Sequence, residues 1–165
     1  MAKIVIIGAG SGFGSRLSID ILSRELLKDS TIALCDIDEE RLTQVHNYVN
    51  RAIKGHGLPG QCIASMDREE LLPGADFVVT AVSIGGAAYW GEPYASEIGI
   101  PLKYGVNQTV ADTIGVGGVF RYLRTAKEHL AFCKSMEAHC PDALMLNYTD
   151  PMVMLTWMHS IGSSI

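Results

Sequence analysis

The turn that follows the first apolar run is where residue types and spacing first suggest chemistry. It consists of Gly8-Ala-Gly10-Ser-Gly12-Phe13-Gly14 and precedes a segment in which leucine and isoleucine recur at helical spacing. Glycines at such a turn let the backbone approach a pyrophosphate held at a helix N-terminus. The spacing G-x-G-x-x-G fails at its third position, which is Phe13. Taken alone, the motif is a weak prediction of dinucleotide binding.

An aspartate strengthens that prediction. Asp36 follows the second apolar run, Thr31 to Cys35, and stands 26 residues after Gly10. A carboxylate at this place accepts hydrogen bonds from both ribose hydroxyls and repels a 2′-phosphate, which favours NAD over NADP. The predicted cofactor-binding residues in this part are Gly8, Gly10, Ser11, Gly12, Phe13 and Asp36. The alternative is a glycine turn that serves packing and an aspartate that only caps a helix.

Two further segments carry candidate functional residues. Asp112 opens a glycine-rich stretch that ends at Gly118, and the next helix carries Arg121 and Arg124. Several glycines before a helix provide free backbone donors, and open α/β sheets bind ligands near such points. We predict a catalytic role for Asp112. An ordinary loop carboxylate followed by a solvated helical face is the equal alternative.

The other segment is Asn147-Tyr-Thr-Asp150-Pro151, at the end of the fifth predicted strand. Side chains at that edge of a parallel sheet can reach a nicotinamide or its substrate. We predict cofactor contacts for Asn147 and for Ser83, at the end of the fourth predicted strand, and a substrate contact for Asp150. The alternative is a turn in which Asn and Asp bond only to their own backbone.

These residues are positioned by alternating strands and helices. The predicted strands are Lys3 to Ile7, Thr31 to Cys35, Gln61 to Ser65, Phe77 to Ser83 and Ala143 to Leu146. Between them lie helical patterns, one with Asp38 as its predicted N-cap. The stretch from Gly85 to Gly118 is predicted to be irregular, and a helix with Phe120 and Leu123 on its apolar face follows. The order predicts an α/β fold with a doubly wound parallel sheet, a Rossmann-type NAD-binding domain spanning residues 1–165.

Composition narrows the classes of function. The chain has 165 residues, 48% of them hydrophobic, and a formal net charge of −5. That charge argues against nucleic acid or an anionic membrane as partner, because both require clustered Lys and Arg. The chain has no signal-peptide pattern and no apolar run long enough to span a bilayer, so we expect a cytoplasmic protein. The five histidines show no metal-ligand spacing, and none of the four cysteines forms a CxxC pair, so we expect no metal site and reduced thiols.

The three motif segments together resemble the family-4 glycoside hydrolases, the NAD- and manganese-dependent glycosidases. GAGSGFG is similar to that family's G-x-G-S-x-x-F turn, and IALCDIDEERL, GADFVVTAVSIGG, YGVNQTVADTIGVGGVFRYLRT and CPDALMLNYTDPMVMLTW follow in the family's order. The resemblance is closest to the melibiase-like α-galactosidases. It implies a glycoside as small-molecule substrate, NAD and Mn²⁺ as cofactors, and homo-oligomers among full-length relatives.

The resemblance also implies a reaction and shows departures from it. In the family, NAD oxidises carbon 3 of the sugar, a base removes the proton on carbon 2, the aglycone leaves, water adds, and the hydride returns. Asp150 stands where the family usually has Asn, and Val116 where it has Pro. The family's metal-binding Cys and His lie downstream of this segment, and a six-stranded sheet needs one strand more. We therefore expect an N-terminal portion that holds NAD without turnover.

Two other hypotheses stay open at this point. A lactate- or malate-type 2-hydroxy acid dehydrogenase has a similar turn and acidic strand end, but it needs an Arg after the fourth strand to bind a carboxylate. Residues 84–98 contain no Arg or Lys. The other hypothesis is a non-catalytic remnant. Because the missing strand would leave an apolar sheet edge uncovered, a remnant is expected to self-associate.

Overall fold

The computed structural model describes residues 1–85, 91–108 and 113–165. The strands in these ranges are β1 (Lys3–Ile7), β2 (Thr31–Cys35), β3 (Gln61–Ser65), β4 (Phe77–Thr80) and β5 (Leu144–Asn147). The helices are α1 (Gly12–Leu22), α2 (Glu39–His56), α3 (Arg68–Leu71), α4 (Tyr94–Lys103), α5 (Val116–His139) and α6 (Met152–Gly162). The first three strands have the predicted bounds, whereas β4 ends three residues earlier than expected.

The strands form one sheet in the order β3-β2-β1-β4-β5. Strand β1 runs parallel to both of its neighbours, so Ile4 is paired with Ile32 of β2 and with Phe77 of β4. Strand β2 is likewise parallel to β3. The winding direction reverses after β3, when the chain returns to the other side of β1. This topology confirms the predicted doubly wound sheet, and it places a switch point at the carboxyl ends of β1 and β4, where such sheets bind ligands.

The chain divides into two compact units. The first comprises residues 1–82, 135–146 and 165, and the second comprises residues 83–134 and 147–164. The core of the first unit is an apolar cluster contributed by strands β1 to β4, the turn after β1, and helices α1 and α2. Its buried members are Ile4, Ile6, Ala9, Leu22, Ile32, Leu34, Leu42, Val49, Cys62 and Val79. Each fully buried aliphatic side chain contributes roughly 1.5–3 kcal/mol, so this cluster fixes the strands that carry the glycine turn and Asp36.

The second unit contains a helix that the sequence analysis missed. Helix α4 lies within the stretch predicted to be irregular, and it includes Pro101 near its C-terminal end. The predicted apolar face of α5 is wrong at its beginning, because Phe120 is 50% and Leu123 is 66% exposed, whereas Cys133, predicted on the same face, is buried. The helix also buries Thr125, His129 and Phe132. In the part of the chain that the structure describes, no helix is both long and apolar enough to cross a membrane.

A buried pair of histidines joins α5 to α6 within the second unit. The distance between His129 Nδ1 and His159 Nε2 is 3.1 Å. The two ring planes differ by 7° and their centroids are 5.2 Å apart, which fits an N–H···N hydrogen bond lying in the plane of both rings. Burial, and secondly the neighbouring His159, lower the pKa of His129 to about 3. Burial also lowers the pKa of His159. Both rings are therefore neutral at pH 7.

All four cysteines are buried and none is part of a disulfide. Burial raises the pKa of the Cys35 thiol to about 11 and that of Cys62 to about 12. These two residues lie on the neighbouring strands β2 and β3. Because the thiolate is the reactive form of cysteine, both side chains act as small apolar core residues at neutral pH.

The histidine pair predicts that acid destabilises the fold. An unfolded histidine takes up its proton near pH 6.5, whereas His129 in the folded chain stays neutral down to about pH 3. The stabilisation is therefore complete above pH 6.5 and is lost as the pH falls from there towards 3. Relative to a His129→Leu/His159→Leu variant, the wild-type chain should lose about 2 kcal/mol of unfolding free energy between pH 7.5 and 5. Urea titrations at the two pH values measure this difference.

An exposed histidine provides the control for that experiment. His56 is the last residue of α2 and is exposed, so His56→Gln should leave the pH dependence as it is in the wild type. Parallel pH profiles for the wild type and the double leucine variant would contradict the prediction.

Candidate functional site

The glycine turn is fastened to the end of β2 by its own backbone. The amides of Gly8 and Ala9 both donate to the carbonyl oxygen of Cys35, at 2.9 and 3.0 Å. Ser11 is the N-cap of α1, and its side chain accepts a hydrogen bond from the Phe13 amide. The chain thus leaves β1, contacts β2 and enters α1 within a few residues, as the motif predicts.

The glycines of this turn serve different purposes. Gly8 has a φ of 88°, and a Cβ placed there would lie 2.4 Å from the carbonyl oxygen of Ala81. A Cβ at Gly14 would lie 1.8 Å from the carbonyl oxygen of Ala9. Gly12 has no atom within 4 Å of the corresponding position. Gly8 and Gly14 therefore close the inner side of the turn, whereas Gly12 borders open space at the first turn of α1.

The open side of the turn is suited to an anion. Within the described residues, the Gly12 amide has no hydrogen-bond acceptor, as expected for the first residue of a helix. A helix N-terminus favours negative charge, and its unpaired N–H groups point outward from the first turn. The first turn of α1 contains no acidic residue that would occupy this place.

The Asp36 carboxylate is held by two backbone amides. Its Oδ2 accepts from the Gly10 amide at 2.7 Å, and its Oδ1 accepts from the Asp38 amide at 2.9 Å. Each carboxylate oxygen keeps further lone-pair capacity for a ligand hydroxyl. The structure thus brings Gly10 and Asp36 into direct contact, which the sequence analysis did not foresee. The spacing of 26 residues between them was the available signal.

Arg41 and Asp38 lie beside this carboxylate. Asp38 is the N-cap of α2, as predicted, and its side chain accepts from the Arg41 amide at 3.0 Å. Its other carboxylate oxygen lies 3.3 Å from Arg41 Nε. A Cβ at Gly10 would be 2.9 Å from both the Arg41 Cβ and the Asp36 carboxylate, so Arg41 begins next to Asp36. Sequence analysis did not identify this arginine.

The remaining predicted cofactor residues belong to the second unit. Ser83 is exposed and follows the last residue of β4 by three positions. Asn147 is the last residue of β5. Its side chain donates to the Thr149 carbonyl oxygen at 3.1 Å and accepts from the Thr149 amide at 3.0 Å. The Asn147 carboxamide therefore shapes the turn that leads to Asp150, which is half-buried and is followed by a cis peptide bond to Pro151.

The second unit also contains a buried ionic cluster. Glu97 of α4 has a side chain only 3% exposed, and it pairs with Arg121 Nη2 at 2.9 Å and with Arg124. Arg121 also lies over the ring of Tyr94, 5.3 Å from its centroid. Arg124 Nε donates to the carbonyl oxygen of Ile84 at 2.8 Å. The two arginines thus do not form the solvated face that was one alternative from the sequence; they fasten α5 to α4 and to the chain after β4.

Asp112 lies outside the described residues. Among the residues that are described, no group of three His, Cys, Asp or Glu side chains could hold a metal ion. The described candidate site is therefore the glycine turn with Asp36 and its neighbours in the first unit.

The sequence of the chain matches that of a known protein family. Residues 3–162 match the model of the family described as family 4 glycosyl hydrolase. An α-galactosidase of Rhizobium meliloti (strain 1021) is 43% identical over 157 residues, which cover 94% of this chain and 31% of that protein. The chain thus spans about a third of the length of that relative.

Two solved structures extend the comparison. A 6-phospho-β-glucosidase from Thermotoga maritima, solved with NAD and glucose-6-phosphate, superposes with a TM-score of 0.80 at 26% identity over 96% of this chain and 36% of that one. A lactate dehydrogenase from Cryptosporidium parvum gives a TM-score of 0.62 at 16% identity over 98% of this chain and 39% of that one. The likeness to the dehydrogenase is one of fold alone.

The close contacts of the turn predict different costs for two Gly→Ala substitutions. Gly14→Ala places its methyl group against the Ala9 carbonyl oxygen, and overpacking of this kind costs about 1–3 kcal/mol. Gly12→Ala meets no neighbouring atom and is its matched control in the same turn. Urea unfolding should show a lower midpoint for Gly14→Ala and a midpoint close to the wild type for Gly12→Ala. Equal midpoints would show that the turn does not require a glycine at position 14.

Proposed function

This chain belongs to family 4 of the glycosyl hydrolases, and from that membership we propose that it is the NAD-binding portion of a glycosidase that cleaves O-glycosidic bonds. The observation that carries the proposal is the Asp36 carboxylate, held by the Gly10 and Asp38 amides beside an open glycine turn. Membership in this family also sets aside the lactate- or malate-type dehydrogenase hypothesis.

The residues of the first unit fit NAD. Gly12, with Ser11 before it and Phe13 after it, offers the helix N-terminus to the pyrophosphate, and Gly8 and Gly10 allow the close packing of the turn against its neighbours. Asp36 accepts hydrogen bonds from the ribose hydroxyls of the adenosine half. Ile37 follows it with 92% of its side chain exposed, which provides an apolar surface for the adenine. Bound NAD would supply the hydride acceptor for oxidation of a sugar hydroxyl.

Four further residues carry proposed roles. We propose that Ser83 and Asn147 contact the cofactor, that Asp112 is catalytic and that Asp150 contacts the sugar. The Asn147 carboxamide bonds to the Thr149 backbone, which fixes the orientation of the side chain that is proposed to contact the cofactor. Asp150 accepts hydrogen bonds when ionised but cannot donate as an amide does, so its sugar partner must be a hydroxyl that donates.

An α-galactoside is the proposed substrate class. Its support is the 43% identity to the Rhizobium meliloti α-galactosidase and the 40% identity to the Bacillus subtilis enzyme of the same name. The described residues provide no set of three manganese ligands. The proposed share of residues 1–165 in the reaction, as one NAD-binding domain, is to hold and orient the dinucleotide.

We also propose a cytoplasmic location and self-association. Cysteines outside any disulfide suit a reducing compartment. On β5, at one edge of the sheet, Leu144 is 57% and Leu146 is 39% exposed. Exposed apolar side chains at a sheet edge favour contact with another polypeptide, in agreement with the homo-oligomers that the family resemblance implies.

The first prediction from this function concerns cofactor choice. Titration calorimetry of the 165-residue chain should show binding of NAD and much weaker binding of NADP, because Asp36 repels a 2′-phosphate. Asp36→Ala should weaken NAD binding at least about tenfold, since hydrogen bonds to a charged group are worth about 1.5–3 kcal/mol.

A second aspartate provides a matched control. Asp76 Oδ2 accepts from the Lys3 amide at 2.7 Å, the same kind of bond at the amino end of β1, so Asp76→Ala should leave the affinity for NAD unchanged. Equal affinities for the two nucleotides, or an equal loss in both variants, would contradict the proposed function.

A further inference from the structure

The salt bridge between Asp38 and Arg41 lies where cofactor selectivity is decided. Arg41 is the only basic residue at helical spacing from Asp38 in the first turns of α2, and the pair has side chains 43% and 57% exposed. The Arg41 Cβ and the Asp36 carboxylate are each 2.9 Å from the point where a Gly10 Cβ would lie. An arginine side chain that begins so close to Asp36 can reach a group bound on that carboxylate.

The pairing directs the guanidinium away from that group. Asp38 divides its carboxylate between two tasks: Oδ1 caps α2 through the Arg41 amide at 3.0 Å, and Oδ2 lies 3.3 Å from Arg41 Nε. Arginine is the usual partner of a 2′-phosphate in proteins that bind NADP. This chain has such an arginine, Arg41, but its guanidinium is paired with the carboxylate of Asp38, one helical turn earlier.

We propose that Asp38 withholds the Arg41 guanidinium from the ribose 2′ position beside Asp36, so that this ion pair, together with Asp36, sets the selectivity for NAD over NADP. The inference rests on the proposed binding of NAD. Removal of the Asp38 charge removes this ion pair and leaves the Arg41 guanidinium without that partner. No other acidic residue of α2 lies three or four positions from Arg41, so no carboxylate at helical spacing takes the place of Asp38 as its partner.

The test uses a substitution that removes the charge and keeps the helix cap. Asn is as good an N-cap as Asp, so Asp38→Asn should unfold at the wild-type temperature. Its affinity for NADP, measured by titration calorimetry at low salt, should rise about tenfold, because a charge-assisted contact between guanidinium and phosphate is gained. In Asp38→Asn/Arg41→Gln the affinity for NADP should return to the wild-type value.

One single and one double variant complete the design. Arg41→Gln alone should change the affinity for NAD less than about twofold, because in the wild type the guanidinium pairs with Asp38 and NAD has no 2′-phosphate for it to bind. Arg51→Gln in the Asp38→Asn background removes the same charge from an exposed position further along α2. It should leave the gain in NADP affinity intact.

Each other result would overturn the inference. An unchanged affinity for NADP in Asp38→Asn would show that Asp38 withholds nothing. A gain that survives Arg41→Gln would assign the effect to net charge alone, and a large loss of NAD affinity in Arg41→Gln would show that Arg41 already contacts the cofactor. If the wild-type chain bound neither nucleotide, the proposed function itself would fail, and the inference with it.

Discussion

The contact between the Asp36 carboxylate and the Gly10 amide is the constraint on which the candidate site depends. It joins the turn after β1 to the end of β2, across 26 residues of chain, with an N–O distance of 2.7 Å. The Cys35 carbonyl oxygen, one residue earlier, accepts the amides of Gly8 and Ala9. The turn that would receive the pyrophosphate and the acid that would receive the ribose are therefore already joined by hydrogen bonds, and a ligand does not have to bring them together on binding.

The two units are stabilised by different kinds of buried contact. The first buries an apolar cluster around β1 and β2, and its polar contacts lie at the ends of the strands. The second buries charged and polar side chains in pairs, Glu97 with two arginines and His129 with His159. Buried polar groups stabilise a fold only while every partner is present. The second unit is therefore expected to be more sensitive to single substitutions and to pH than the first.

Sequence reasoning predicted the first unit well and the second poorly, for one physical reason. Strands β1 and β2 are short apolar runs, and Asp38 is an N-cap residue of the expected type. The glycines between β1 and α1 are likewise close together in the sequence. All of these signals are local. Helix α4 has Pro101 inside it and buries Glu97, two features that a local pattern associates with loops and surfaces. On α5 the buried face contains His129 and Thr125, because its partner His159 is 30 residues away and no local periodicity reveals it.

The two buried thiols of β2 and β3 can report when these strands separate. Cys62 is the only residue of β3 that is buried, and Cys35 lies on the neighbouring strand. Since burial holds both thiols protonated, an alkylating reagent reaches their reactive form only when the strands separate. The rate of alkylation at Cys35 and Cys62 is then set by how often β3, the edge strand, separates from β2. A dinucleotide bound at Asp36 would lower this alkylation rate in proportion to the bound fraction of the protein. Alkylation of the two core thiols would then measure how far a ligand suppresses the opening of the sheet.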